Sequence, residues 1–250
     1  MIVLSCRGLV TADVDMVPSW LHILAWAYLA ICFASAALII VDEFRRPQHM
    51  WIMNAVWPVN ALYWGPVGLW AYYRWGRLST KRAVMEAKAR GEENPDKRKP
   101  FWAMVAIGDS HCGAGCTLGD MVAEWMIFGL GLSLFGAMKH HELFTAYVLD
   151  YAFAFTLGIV FQYFTIAPMR HLGFAAGLWA AIKADTLSLT AFEIGLFGWM
   201  ALPSLVFFGH PLAKTDPVFW FMMQVGMILG FFTSYPINWW LIKAGLKEAM

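Results

Sequence analysis

Three stretches of the chain contain no Asp, Glu, Lys or Arg: Trp20–Val41, Met50–Tyr73 and Pro217–Ile242. Each is long enough for a helix to cross a bilayer core, which takes about 20 residues. Backbone polar groups in lipid must pair within the segment, so helices are predicted and strands are not. Three more stretches, Phe101–Met138, Leu143–Met169 and Leu172–Gly209, are apolar but interrupted by ionisable residues. The fold class that follows is all-α: a polytopic membrane helical bundle of about six transmembrane helices, two of them long and polar-interrupted. Composition agrees. The chain is 60% hydrophobic and 14% charged, where a soluble domain carries about 25% charged residues.

Charge placement orients the bundle. Arg74, Arg77, Lys81, Arg82, Lys88, Arg90, Lys97, Arg98 and Lys99 crowd one loop, which the positive-inside rule assigns to the cytoplasm. With six spans both termini are then cytoplasmic, together with Arg7, Arg170, Lys243 and Lys247. Arg45, Arg46, Lys139 and Lys214 fall outside. The expectation is a multi-pass protein of the cell (inner) membrane, its first span retained rather than cleaved. Three parts follow: a Trp-rich two-span hairpin (1–75), a basic cytoplasmic loop (76–100) and a four-span core (101–250). Within the loop, Arg82–Arg90 suits a short amphipathic helix that Gly91–Pro95 would end. The formal net charge of +1 points to no partner beyond the bilayer. No phosphate-binding glycine loop, G-x-S-x-G, HExxH or nucleic-acid module is present, and the basic loop lacks interleaved aromatics.

The chemistry is concentrated in Gly108–Trp125, GDSHCGAGCTLGDMVAEW. Ionisable groups in a membrane are costly and are kept where they pair, line a cavity or bind something. Cys112, Cys116, Asp120 and Glu124 recur at every fourth position, which puts them in a row on one side of a helix. His111 flanks the start of the row. Thiolate and imidazole suit soft and borderline metals such as Cu(I) and Zn(II). The candidate metal ligands are therefore His111, Cys112, Cys116 and Asp120, with copper favoured over zinc. Asp109, Glu124, Asp150, Asp185 and Glu193 are supporting acids. Glu193, deep in the fifth segment, has no partner nearby in sequence and is expected to face the cysteine-bearing helix. His140 and His141 read as an interfacial pair in an external turn. Of the four cysteines, Cys32 in the first span reads as a small core residue, and no disulfide framework is implied.

Phe101–Met138 and Leu172–Gly209 are each 38 residues, too long for one straight span. Each is followed by a span of ordinary length, and those two spans end alike, in FTIAP (164–168) and FTSYP (232–236). Polar-interrupted spans at corresponding places in two halves point to a binding site in membrane proteins built from repeats. Breaks are predicted near Gly108–Gly115 and near Ala201–Pro203.

His111-Cys112-x-x-Gly115-Cys116-x-x-Gly119-Asp120, Ala184-Asp185-Thr186-Leu187-Ser188 with Glu193, and Pro236-Ile237-Asn238-x-Trp240-Leu241-Ile242 occur in that order. With them the chain resembles an uncharacterised bacterial membrane-protein family, a domain of unknown function. Its motifs are HCxxGCxxG[DE], ADTxS[IL]xxxE and P[VI]NxxLI. The resemblance covers about residues 101–247 and implies that Cys112, Cys116, Asp120, Asp185 and Glu193 act together. It implies no activity or substrate, and the His near the family's end is absent from Lys243–Lys247.

Three functions compete. The first is binding or transport of a transition-metal ion, copper by preference, through a His/Cys/carboxylate site between the third and fifth spans; a soluble metal carrier is then a natural partner. The second is a membrane thiol/quinone oxidoreductase using Cys112 and Cys116. The third is a non-catalytic subunit held among other membrane subunits.

Overall fold

The computed structural model describes residues 17–132 and 141–248. Cys6, Arg7, Lys139 and His140 lie outside the described residues, as does the side chain of His141. The described residues form eight α-helices: α1 (Ser19–Arg45), α2 (Met53–Trp64), α3 (Pro66–Arg74), α4 (Lys81–Ala89), α5 (Phe101–Leu130), α6 (His141–Met169), α7 (Phe174–Leu202) and α8 (Pro217–Lys243). Among these residues the only β pairing is an isolated bridge between Gln48 and Thr80. Four segments are long and apolar enough to cross a membrane: Ser19–Arg45, Glu142–Met169, Phe174–Phe207 and Pro217–Lys243. α5 is equally long but carries Asp109, Asp120 and Glu124, and it buries all three. It sits at the centre, against α2, α6, α7 and α8.

The expected second span is not one continuous helix. The chain turns at Gly65, whose φ of +52° is open to glycine and strained for other residues. Pro66 then starts α3 at its first turn, where its missing N–H costs nothing. α3 runs back along α2. The rings of Trp57 and Tyr72 meet at 5.7 Å, and a Cβ placed on Gly76 would lie 2.8 Å from the Trp57 ring. The tip reaches only to the middle of α1, where Gly65 faces Cys32. The mouth is closed by the Gln48–Thr80 bridge and by Arg77, which donates to Asp42 from Nε at 3.0 Å and from a terminal nitrogen at 2.7 Å. The Met50–Tyr73 run is thus a re-entrant hairpin, and five helices, α1 and α5–α8, run end to end. Arg45 and Arg46 fall at the same end as the basic loop, with Arg170 and Lys243. At the opposite end His22 of α1 meets Asp216 before α8 at 3.3 Å.

Irregular backbone at membrane depth is tolerated where protein satisfies it. Here the carbonyls of Leu62 and Tyr63, near the tip, accept hydrogen bonds from Gln224 of α8 and Tyr28 of α1.

α5 is also unbroken across Gly108–Gly115, contrary to expectation. Its glycines serve contact instead of bending. A Cβ on Gly115 would lie 2.6 Å from the Cα of Gly158 in α6, and one on Gly119 would strike the backbone of Ala154. Small residues let helix backbones approach closely in a membrane, and this contact offsets the roughly 0.5–1 kcal/mol that each helical glycine costs relative to alanine. In α7 the break falls where the proline predicts: at Pro203 the helix gives way to a single π turn, Pro203–Phe207. In the basic loop, Thr80 caps α4 by accepting from the Ala83 N–H, and Gly91 follows at φ +67°.

Candidate functional site

The polar residues of α5 form a column along the helix, and each level of it meets a different neighbour. Nearest the basic end is Asp109. Its Oδ1 accepts from the Ser234 hydroxyl at 2.7 Å and from the Asn238 amide at 2.6 Å, both on α8. Asn238 also donates to Ser188 of α7 at 2.7 Å. Lys247, beyond the end of α8, reaches back into the bundle and pairs with Asp185 of α7 at 3.0 Å, both side chains 0% exposed. Lys247 also lies within electrostatic reach of Asp109 and Cys112. Neither Lys247 nor Ser234 was singled out from the sequence. Lys247 served there only as a topology charge, and the contact spans 62 residues.

One turn further along come Cys112 and Cys116, within interaction range of each other, with Ser188 near Cys112 and Glu193 near Cys116. Both cysteines are free and fully buried. Glu193 of α7 does face the cysteine-bearing helix. Asp120 follows, within electrostatic reach of Glu193, Asp150 and Glu124. All four acids are buried. Both oxygens of Asp120 and of Glu193, and one of Asp150, have no hydrogen-bond partner among the described protein groups. The helix faces that meet here offer few donors: Gly119 lies against Ala154, and Phe192 and Leu196 fill the space beside Glu193.

At the far end of the column Glu124 forms an ion pair with Lys214, whose ammonium sits 3.9 Å from the centre of the Phe219 ring. Beside them is a cavity of about 540 Å³ walled by Glu124, Asp150, Tyr147, Ser204 and Lys214, with exposed Glu142 at its edge. Polar groups therefore run in file from this cavity to Lys247.

His111 is not in the file. Its Nε2 is 2.8 Å from the Thr165 hydroxyl on α6, and its ring packs edge-on against Phe161. Successive residues on a continuous helix point about 100° apart, so His111 and Cys112 cannot share a face. Among the described residues no group of three or more His, Cys, Asp or Glu side chains is arranged to hold a metal ion. The structure thus brings together Cys112, Cys116, Asp120 and Glu193, continues to Asp150 and Glu124 on one side and to Asp109 and Asp185 on the other, and turns His111 away.

The re-entrant hairpin closes the site laterally. Asn60 donates to the Ser110 carbonyl at 2.8 Å, the Tyr63 hydroxyl bonds Asn60, and that hydroxyl faces Gly113. The sequence signal for these residues was weak: Asn60 and Tyr63 are among two Asn and three Tyr in the long apolar run Met50–Tyr73.

Comparison with known families places the chain. Residues 101–247 match the model of a family described as Domain of unknown function (DUF4396), and the chain belongs to it. The match begins with α5 and ends at Lys247, so it takes in the whole column and leaves out α1 and the hairpin. No curated protein and no solved structure matches the chain.

Proposed function

We propose that this protein carries a transition-metal cation, copper in its Cu(I) state, across the cell (inner) membrane along the α5 column. The observation that supports this is the file of buried acids and thiols leading from the Glu124–Lys214 cavity through Asp120, Glu193, Cys116 and Cys112 to Asp185. A buried carboxylate without a donor must take up a proton or a cation. Asp120, Asp150 and Glu193 are such groups, and their exchange of protons for cations gives a path into the bundle. The thiol pair at the centre is soft and selects Cu(I). Zinc is served less well, since it takes four ligands in a structural site and three from the protein in a catalytic one. His111 has no part as a ligand in this proposal. A soluble metal carrier docking at the basic end is the partner it calls for.

The orientation proposed here differs from that drawn from six spans. With the basic end cytoplasmic, the C-terminal residues are inside and the start of α1 is outside. Arg45 and Arg46 then also lie inside, and of the cations at the two ends among the described residues only Lys214 lies outside. Thiol labelling of intact cells checks this: Thr215→Cys should label and Ser79→Cys should not.

Transport is tested by Cu(I) uptake into liposomes holding the purified protein. Saturable uptake above that of empty liposomes, reduced at least 10-fold in a Cys112→Ser, Cys116→Ser variant, is expected. Equal uptake by the variant and the wild type overturns the proposal. The nearness of Cys112 and Cys116 also favours a second function, thiol oxidoreductase. That function requires a disulfide that forms and is reduced at a defined potential, which the copper carrier does not.

A further inference from the structure

The basic end of the column differs chemically from its centre. We propose that Asp109, Asp185 and Asn238 form a binding site for a small hard monovalent cation, sodium by preference, and that in the present conformation the ammonium group of Lys247 stands in for that cation. This deepens the transport proposal by supplying a coupling ion, and it rests on that proposal for the coupling role alone.

The oxygen inventory leads there. Asp109, Asp185 and Asn238 are each fully buried, and the Lys247 side chain is too. An ammonium group offers three donors, and the hydrogen bond it makes here goes to Asp185 Oδ1. Asp109 Oδ2, Asp185 Oδ2 and Asn238 Oδ1 have no hydrogen-bond partner. A proton would satisfy one oxygen. A metal cation satisfies several at once, and the ligands available are carboxylate, amide and, from Ser188 and Ser234, hydroxyl oxygens. Such oxygens suit hard cations. The soft ligand nearby, Cys112, belongs to the thiol pair one turn along α5.

The way Lys247 is held makes exchange practicable. α8 ends at Lys243, and the chain reverses through Gly245 at φ +69°. Lys247 is anchored by its own N–H on the Leu241 carbonyl at 3.3 Å, and Glu248 pairs with Arg170 at 2.7 Å in partly exposed surroundings. Exposed ion pairs of that kind contribute little. The ammonium can therefore leave Asp185 by movement of the 244–248 segment while the helices stay in place.

The test is thermal unfolding of the purified protein in detergent, in sodium, potassium and choline chloride at matched ionic strength. At ten times its dissociation constant sodium adds RT ln 11, a rise in Tm of about 3–6 °C for a chain of this length. We expect a sodium-specific rise in the wild type, a larger one in Lys247→Gln, where the competing cation is gone, and none in Asp109→Asn. Indifference to the cation in both the wild type and Lys247→Gln overturns the proposal. So does a shift that follows pH alone, or a sodium shift undiminished in Asp109→Asn. The measurement involves no copper, so its result stands apart from that of the liposome experiment.

Discussion

Two groups of buried acids share one column and are served differently. Asp109 and Asp185 have hydroxyl, amide and ammonium donors, supplied by α8 and the tail that follows it. Asp120, Asp150 and Glu193 meet one another, a thiol and apolar side chains. The difference lies in the facing helices. α8 carries Ser234 and Asn238 toward α5, whereas the α6 surface against Gly119 is Ala154 with no room beside it. The first group has donors in place; the second is left for an arriving proton or cation to satisfy. The two groups should therefore respond oppositely to mutation.

The largest expected effect is at the partnered end. Lys247→Met leaves Asp185 buried without its cation, and such losses cost about 3–5 kcal/mol. Unfolding in mixed micelles should show a drop of that size, largely recovered in the double variant Asp185→Leu, Lys247→Met, because two apolar groups leave no charge behind. A Lys247→Met protein as stable as the wild type would show that the pair does not hold this end.

Gly119→Ala tests the donor-poor region through its packing. The added methyl strikes the Ala154 backbone, and overpacking costs typically 1–3 kcal/mol. Unchanged stability would mean that α5 and α6 are free to separate. Ser234→Ala removes one of two donors to Asp109 Oδ1, and about 1–3 kcal/mol should be lost by the same assay.

The smallest effect is the sharpest test of the contrast. Asp120→Asn removes a carboxylate that lacks a partner and adds donors that Glu193 can accept. Stability should stay within about 1 kcal/mol of wild type, while copper uptake falls at least 10-fold. A loss of stability as large as that of Lys247→Met would erase the distinction between the groups.

The parts of this arrangement that were legible in the sequence are the periodic ones. Row spacing along α5 follows from helix geometry, so Cys112, Cys116, Asp120 and Glu124 could be placed on one side before any fold was known. Pro203 announced its own break. Two features misled. The uncharged run Met50–Tyr73 meets the length requirement for a span, and only the Gly65-Pro66 pair hints at a turn. The expected break at Gly108–Gly115 made His111 and Cys112 look like neighbours in a loop, when on an intact helix adjacent residues diverge. Lys247 was illegible for a different reason: its contact with Asp185 depends on how α8 ends and which way the tail folds, and no local pattern encodes that.

The hairpin tip also constrains the order in which the molecule can be assembled. Its carbonyls at Leu62 and Tyr63 are served by a side chain from α1 and one from α8. Neither α2 nor α3 is long enough to be inserted as a span. While the ribosome is still making α5, α6 and α7, the Gln224 amide does not yet exist, and Leu62 lacks its hydrogen-bond donor. The hairpin must wait at the bilayer surface or rest incompletely seated until α8 enters. Seating of the hairpin is thus timed by synthesis of α8, and a nascent chain stopped before Pro217 should leave the Trp51–Arg74 segment open to protease where the longer chain protects it.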